Sequence, residues 1–302
     1  MIYTVTFNPA IDYVVRLDRL QPGAINRARE ELVQFGGKGV NVSTVLGNLG
    51  VENVAMGFLA GFTGQALEEG LSAAGVRADF IHLSEGFTRI NVKIKGGEET
   101  EVNGRGPVIG RDALEELFRR LDRLAPGDFL VLAGSIPASL PSDVYEQILA
   151  RLDGRGVQAV VDAEGELLCK VLNYRPFLIK PNNLELGAIF GRELHAPEEI
   201  RDCAAALQRQ GARNVLVSMA GDGALLLDET GACHRMPAPK GTVRNSVGAG
   251  DSMVAGFLAG WLRTGSYREA LRLGTAAGSA TAFADGLATR EQVESLLRQL
   301  EP

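Results

Sequence analysis

The sequence predicts an α/β fold, a layered sandwich around a mainly parallel central sheet with a small β-sheet lid. Three observations carry this expectation. Short apolar runs alternate with longer stretches of helical periodicity along most of the chain, the pattern of strands joined by crossover helices. Two stretches instead alternate apolar and polar residue by residue, as half-buried antiparallel strands do. No Ser/Pro-rich linker, low-complexity tract or internal repeat divides the 302 residues. The expectation is therefore one domain over 1–302, with lid strands within about 10–35 and 87–105.

The elements follow in order. Ile2–Phe7 reads as a buried strand. Ile11, Tyr13, Val15 and Leu17 then alternate with Asp12, Arg16 and Asp18, which makes this stretch the first lid strand. Gly36-Gly-Lys-Gly-Val-Asn41 is a glycine-rich turn entering a helix, and Asn53–Leu59 is the next buried strand. In Thr88–Asn103, Ile90, Val92 and Ile94 alternate with Asn91, Lys93 and Lys95. Gly96-Gly97 turns the chain into Glu98–Val102, a β-hairpin. Leu114, Leu117, Leu121 and Leu124 share one helical face. Phe129–Ala133, Val157–Asp162, Phe177–Lys180 and Asn214–Met219 are further strands, with Pro197–Gln210 a helix between the last two. The final third is helical: Ser252–Leu262, Tyr267–Phe283 and a segment from Thr289. Thr289 and Gln292 have the spacing of a capping box.

Composition excludes several function classes. Hydrophobic residues make up 45% and charged residues 23%, a globular profile. A formal charge of −6 leaves no basic footprint for nucleic acid or an anionic membrane surface. The start, MIYTVTF, lacks the layout of a signal peptide. Apolar runs such as Met253–Leu262 fall well short of the ~20 residues needed to span a bilayer. Cys169, Cys203 and Cys233 are odd in number with no C-x-x-C pair, which points to free thiols and a cytoplasmic protein. His82, His195 and His234 have no metal-ligand spacing, and neither G-x-S-x-G nor H-E-x-x-H occurs.

In open parallel sheets ligands bind beyond the carboxyl ends of the strands. That rule selects Asn8–Asp12, Gly134–Pro137, Lys180–Glu185 and Ser218–Gly223, where most of the chemistry-capable residues fall. The strongest string is Asn245-Ser-Val-Gly-Ala-Gly-Asp-Ser252, directly before a helix. Gly248, Ala249 and Gly250 can present successive N–H groups at the helix start, where the dipole favours anions. Asp251 faces the same space from the first turn. Kinase chemistry needs this pairing, donors for a transferring phosphoryl group and a carboxylate to take the hydroxyl proton. Read alone, Asp251 also suits the helix dipole and the glycines a simple turn.

Asn182 and Glu185 could orient Mg²⁺ through oxygen ligands, and they equally form an N-terminal capping pattern. The GGKG turn is not a Walker A loop, and no G-x-G-x-x-G follows the first strand, which argues against a dinucleotide fold. Ser218-Met-Ala-Gly-Asp-Gly223 reads locally as a hairpin turn into Ala224–Asp228. Asp12 could hold sugar hydroxyls or lie on a solvated edge. Arg89 and Lys38 could clamp a phosphate.

Taken together, TVTFNPAIDY, GGKGVNV, GSIPASLP, KPNNLEL, SMAGDGALL and NSVGAGDS resemble, in order and over nearly the whole chain, the ribokinase-like PfkB carbohydrate kinases. FTRINVKIKGGEETEVNGRGP resembles the fructose-1-phosphate branch of that family. The resemblance implies ATP-dependent phosphorylation of fructose 1-phosphate at its 6-hydroxyl, with Asp251 as base and the Gly248, Ala249 and Gly250 amides as anion hole. It implies a sugar-phosphate side at Asp12, Gly37, Lys38, Asn41 and Arg89. Its ATP side would be Lys180, Asn182, Ser218, Met219, Ala220, Gly221, Asp222, Gly223 and Gly250, with Asn182 and Glu185 on Mg²⁺. It also implies a ribokinase-like three-layer sandwich and a homodimer joined through the lid. Some members use a monovalent cation such as K⁺, for which no residues are assigned here. Lys38 stands where many members carry a small residue. Same-class alternatives are tagatose-6-phosphate and fructose-6-phosphate kinases. An alternative from another class is a non-catalytic sugar-phosphate sensor.

Overall fold

Burial on both faces explains why central strands of the large sheet, such as Phe129–Ala133, are unbroken apolar runs. The computed structural model describes residues 1–300. In chain order its strands are β1 (Ile2–Thr6), β2 (Ala10–Arg16), β3 (Glu30–Gly36), β4 (Asn53–Ala60), β5 (Ala78–Leu83), β6 (Arg89–Gly96), β7 (Glu98–Asn103), β8 (Phe129–Ala133), β9 (Gln158–Asp162), β10 (Leu178–Ile179), β11 (Asn214–Ser218), β12 (Ala224–Leu227) and β13 (Cys233–Met236). The helices are α1 (Lys38–Asn48), α2 (Gly61–Ala73), α3 (Arg111–Leu121), α4 (Val144–Leu152), α5 (Gly165–Val171), α6 (Asn183–Ile189), α7 (Pro197–Gln210), α8 (Ala249–Thr264), α9 (Tyr267–Ala282) and α10 (Arg290–Leu297).

Nine strands form the large sheet in the order β13-β12-β11-β10-β9-β8-β1-β4-β5. All neighbours are parallel except at the β12 and β13 end. β8 shows the two-sided burial directly. Leu130 and Leu132 enter a core closed by α3, α4, α5 and α7. Phe129, Val131 and Ala133 enter the opposite core, closed by α1, α8, α9 and α10. This is the three-layer sandwich expected from the alternating pattern.

The remaining strands form a four-stranded sheet in the order β3-β2-β6-β7. The hairpin around Gly97 is present as β6 and β7. One pairing differs from expectation: β2 lies parallel to β6, with Ala10 opposite Arg89 and Arg16 opposite Lys95. The chain runs through β3, α1, β4, α2 and β5 between them, so both strands enter the small sheet from the large sheet's end. The base of this sheet, Ile11, Phe35 and Ile90, packs with Val40, Leu59, Leu67 and Phe80. Its two faces are chemically distinct. One carries Asp12, Gln34, Asn91 and Asn103 in register, the other Tyr13, Val33, Val92 and Val102.

Candidate active site

Gly248 caps α8 with φ of 79°, a left-handed conformation that glycine adopts without steric penalty. The helix begins at Ala249, three residues before the periodicity suggested, so Gly250 and Asp251 lie in its first turn. Of the amides expected to form the anion hole, the Ala249 N–H is already paired, donating to Ser246 O at 3.2 Å. The Gly250 and Asp251 amides point out of the helix start, where helical geometry supplies no carbonyl. Asp251 is only 5% exposed and accepts from Asn41 Nδ2 at 2.8 Å. Burial first, then the Asp162 carboxylate, push the Asp251 carboxyl up to about 6. Asn41, Lys38 and Lys180 pull the other way. A buried side-chain bond of 2.7 Å between the Ser252 and Thr281 hydroxyls ties this turn to α9.

On one side of Asp251 lie the residues expected to hold sugar. Gly37 caps α1 with φ of 120°, and a Cβ there would meet Thr6 Cγ2 at 2.7 Å. A Cβ on neighbouring Gly36 would sit 3.5 Å from Asp12 Oδ2 and 3.8 Å from Asn41 Oδ1, so Asp12 and Asn41 converge on this turn. Asp12 accepts from Asn91 Nδ2 at 2.8 Å and pairs with Lys93 Nζ at 3.1 Å. Asn91 was not singled out from the sequence. Its Oδ1 is buried without a partner, an acceptor left for a ligand hydroxyl. Arg89 is half-buried and donates from Nε to Asn8 O at 3.0 Å. Burial holds its guanidinium below the ordinary value, against the pull of Asp12. It lines a cavity of about 1020 Å³ with Phe87 and Arg105. Asp251 is not on that cavity wall.

Two lysines meet one buried carboxylate beside the base. Asp162, 2% exposed at the carboxyl end of β9, has Oδ1 3.5 Å from both Lys38 Nζ and Lys180 Nζ. Lys38 also reaches Glu164 at 3.7 Å. Burial, the largest single influence on Lys38, lowers its pKa. Asp162, Asp251, Glu164 and Glu185 together outweigh it, so the ammonium stays charged with a raised value. A Cβ on Gly250 would lie 3.1 Å from Lys180 Nζ, which places that ammonium at the start of α8. Asp162 carried no motif, but it ends a predicted strand, and the strand-end rule alone could have flagged it.

On the other side, Asn182, Ser218, Ala220, Gly221 and Gly223 line a cavity of about 680 Å³ together with Ala249 and Gly250. The β10 and β11 ends hold this wall together: Ser218 N–H donates to Pro181 O at 3.2 Å, and Asn182 bridges Ser218. Ser218–Gly223 is also the predicted hairpin turn, since β11 and β12 are antiparallel. Met219, largely buried, and Asp222 close it: Met219 N–H donates to Gly223 O at 2.8 Å and Asp222 N–H to Met219 O at 2.9 Å. Asn182 and Glu185 form a full capping box, with bonds of 2.7 and 2.8 Å. The cap leaves one Glu185 carboxylate oxygen free. The far wall was not legible beforehand. It is made by Pro239, Val243, Ala282 and Phe283 with the small residues Thr275 and Gly278 of α9. A stripe of small residues at helical spacing was the available signal.

Among the described residues no cluster of three or more His, Cys, Asp or Glu side chains is placed to hold a metal ion.

Residues 5–293 match the pfkB family carbohydrate kinase. The chain is 45% identical over 301 residues to a 1-phosphofructokinase of Bacillus subtilis, covering 100% of this chain and 99% of the relative. It is 38% identical over 302 residues to a D-tagatose-1-phosphate kinase of Bacillus licheniformis, with 100% and 99% covered. The crystal structure of phosphofructokinase-2 from Escherichia coli with fructose-6-phosphate superposes with a TM-score of 0.91 at 28% identity, covering 99% of this chain and 98% of that one. The same enzyme is known in complex with potassium and in a tetrameric inhibited form.

Proposed function

The chain belongs to the pfkB family of carbohydrate kinases, and from that premise we propose that it phosphorylates fructose 1-phosphate at the 6-hydroxyl, using ATP, to give fructose 1,6-bisphosphate. The observation that carries the reading is Asp251, buried at a helix start, with a sugar-type polar cluster on one side and a nucleotide-sized cavity on the other. The Asp251 carboxylate takes the proton of the 6-hydroxyl as the new O–P bond forms. The bond from the γ-phosphorus to the bridging oxygen breaks, and its electrons leave with ADP. The Gly250 and Asp251 amides, with Lys180 beside them, stabilise charge on the transferring group. Lys38 contacts phosphate from the sugar side.

ATP occupies the cavity behind Gly250, its base against Val243, Ala282 and Phe283 and its phosphates near Asn182 and Ser218–Gly223. Mg²⁺ bound through Glu185 and Asn182 would supply charge neutralisation of those phosphates. Potassium in the E. coli relative makes K⁺ activation part of this proposal. The small sheet acts as a lid over the sugar. Val33 and Val102 are exposed in an apolar row across its outer face, at 58% and 60%. A second copy of the chain covering that row would make the homodimer. No helix among the described residues is long and apolar enough to cross a membrane, and with three free thiols we place the protein in the cytoplasm.

A relative that acts on D-tagatose 1-phosphate favours one second reading, the C4 epimer of the same sugar phosphate. The test is product identity. Phosphorus NMR after incubation with fructose 1-phosphate and Mg-ATP should show phosphate at both C1 and C6, and an unchanged sugar phosphate would contradict the reading.

Two expected results arise here. Arg89→Ala should raise the KM for the sugar phosphate at least about ten-fold, the scale of one lost charge-assisted contact, while the KM for ATP stays within about two-fold. Equal KM values in variant and parent would make Arg89 a surface residue. The rate should also fall on acidification, because the base must be ionised. With the Asp251 carboxyl of the free protein raised to about 6, the acid limb of kcat/KM should lie near pH 6 rather than near the ordinary carboxylate value of about 4. A limb near 4 would mean that Asp251 is not the titrating base.

A further inference from the structure

We propose that Asp285 is a positioning residue that couples the two ligand sides, by latching the small sheet to the turn behind the nucleotide cavity. The inference rests on the two-sided site of the preceding section, and no motif or comparison assigns this residue.

The last residues of α9 and the connection to α10, 281–288, touch three parts of the site at once. Ala282 and Phe283 are wall of the nucleotide cavity. Ala282 O also accepts from Arg244 N–H at 2.8 Å and Asn245 N–H at 3.2 Å, the residues that lead into the α8 start. Thr281 bonds the Ser252 hydroxyl next to the base, and a Cβ on Gly248 would meet Leu287 Cδ2 at 2.8 Å. Asp285, midway along, reaches the small sheet. Its Oδ1 accepts from Arg16 Nη2 of β2 at 3.2 Å, its Oδ2 from Arg244 Nη1 at 3.3 Å, and its backbone O from Gln34 Nε2 of β3 at 3.0 Å.

Arg16 and Gln34 stand on the same face of the small sheet as Asp12, by strand alternation and register. A sheet position that brings Asp12 onto the sugar is therefore the position that brings Arg16 and Gln34 onto Asp285. Nucleotide in the cavity orders Ala282 and Phe283, and through the same short turn holds Asp285 where the sheet needs it. Each ligand thereby favours the arrangement that the other binds. Coupling of this kind must be reciprocal.

Asp285 is 54% exposed and Arg16 39%. Exposed pairs contribute little to folding, so the latch should show in ligand coupling and hardly in stability. This separates a positioning role from a merely structural one.

The test is calorimetric titration of the whole chain with the sugar phosphate it turns over, with and without a non-hydrolysable ATP analogue. In the parent protein the analogue should tighten sugar-phosphate binding by about five-fold or more. In Asp285→Ala that factor should fall to within about two-fold of unity, with the analogue's own Kd and the melting temperature nearly unchanged. Arg16→Ala should behave alike, and the double variant should be no worse than either single one. Full coupling in Asp285→Ala, or no coupling in the parent, overturns the proposal. Absence of turnover with any sugar phosphate would instead contradict the proposed kinase reaction, so the two failures are distinguishable.

Discussion

An Asp251→Asn variant should lose about 10²–10⁴ in kcat, the range for removing a positioned general base, while both substrates bind nearly as before. The substitution keeps the size of the side chain and its place in the first turn of α8, so the Gly250 amide stays where it is. The Asn41 Nδ2 donor, now 2.8 Å from Asp251 Oδ2, still finds the amide oxygen of the new residue. The proton acceptor is lost, and the pH dependence goes with it: the acid limb near pH 6 should vanish from the residual rate. Folding should change in the opposite direction. A carboxyl raised from 3.8 to about 6 in the fold opposes folding when ionised at neutral pH. The neutral variant should melt at or above the parent temperature, measured at pH 7.5. Near-normal turnover in Asp251→Asn would remove Asp251 from the base role.

Lys180→Met should be costly in both rate and stability. Lys180 is buried, and its ammonium shares the Asp162 carboxylate with Lys38 at 3.5 Å each. Breaking a buried ion pair by removing one partner typically costs about 3–5 kcal/mol. Lys38 remains on Asp162, so the loss should be near the lower figure, read as a drop in the denaturant midpoint. On the folded fraction, kcat should fall by about 10²–10³, the scale of one lost donor at a charge-developing centre. Lys180 also pulls the Asp251 carboxyl down, so the acid limb of the variant should move to higher pH. A stability loss with unchanged kcat would make Lys180 purely structural.

The central strands were legible because each is buried on both faces and carries its own apolar run. β8, for example, matches Phe129–Ala133 residue for residue. α7 begins with a proline at its first turn and runs over the predicted Pro197–Gln210. The Thr289 and Gln292 capping box of α10 is also present. What escaped was non-local. The parallel contact of β2 with β6 joins segments separated by five other elements, and nothing in either strand's alternation states its direction. β13 is short, and Cys233 and Arg235 face solvent, so no apolar run marked it. In the site, residues with glycine signatures or cap spacing were readable. Asp162, Asn91 and Asp285 meet partners far away in sequence, and a lone polar residue carries no pattern of its own. Asn182 and Glu185 illustrate the limit from the other side. Their spacing fitted a cap better than a metal site, with both roles compatible, and the cap is made.

The most direct measurement is the initial rate of ATP consumption with Mg²⁺ at matched concentrations of fructose 1-phosphate, tagatose 1-phosphate, fructose 6-phosphate and tagatose 6-phosphate. Fructose 1-phosphate should have the highest kcat/KM, with tagatose 1-phosphate next and both 6-phosphates far behind, since their 6-hydroxyl is already esterified. A lead for either 6-phosphate, or no turnover with any of the four, would contradict the proposed reaction.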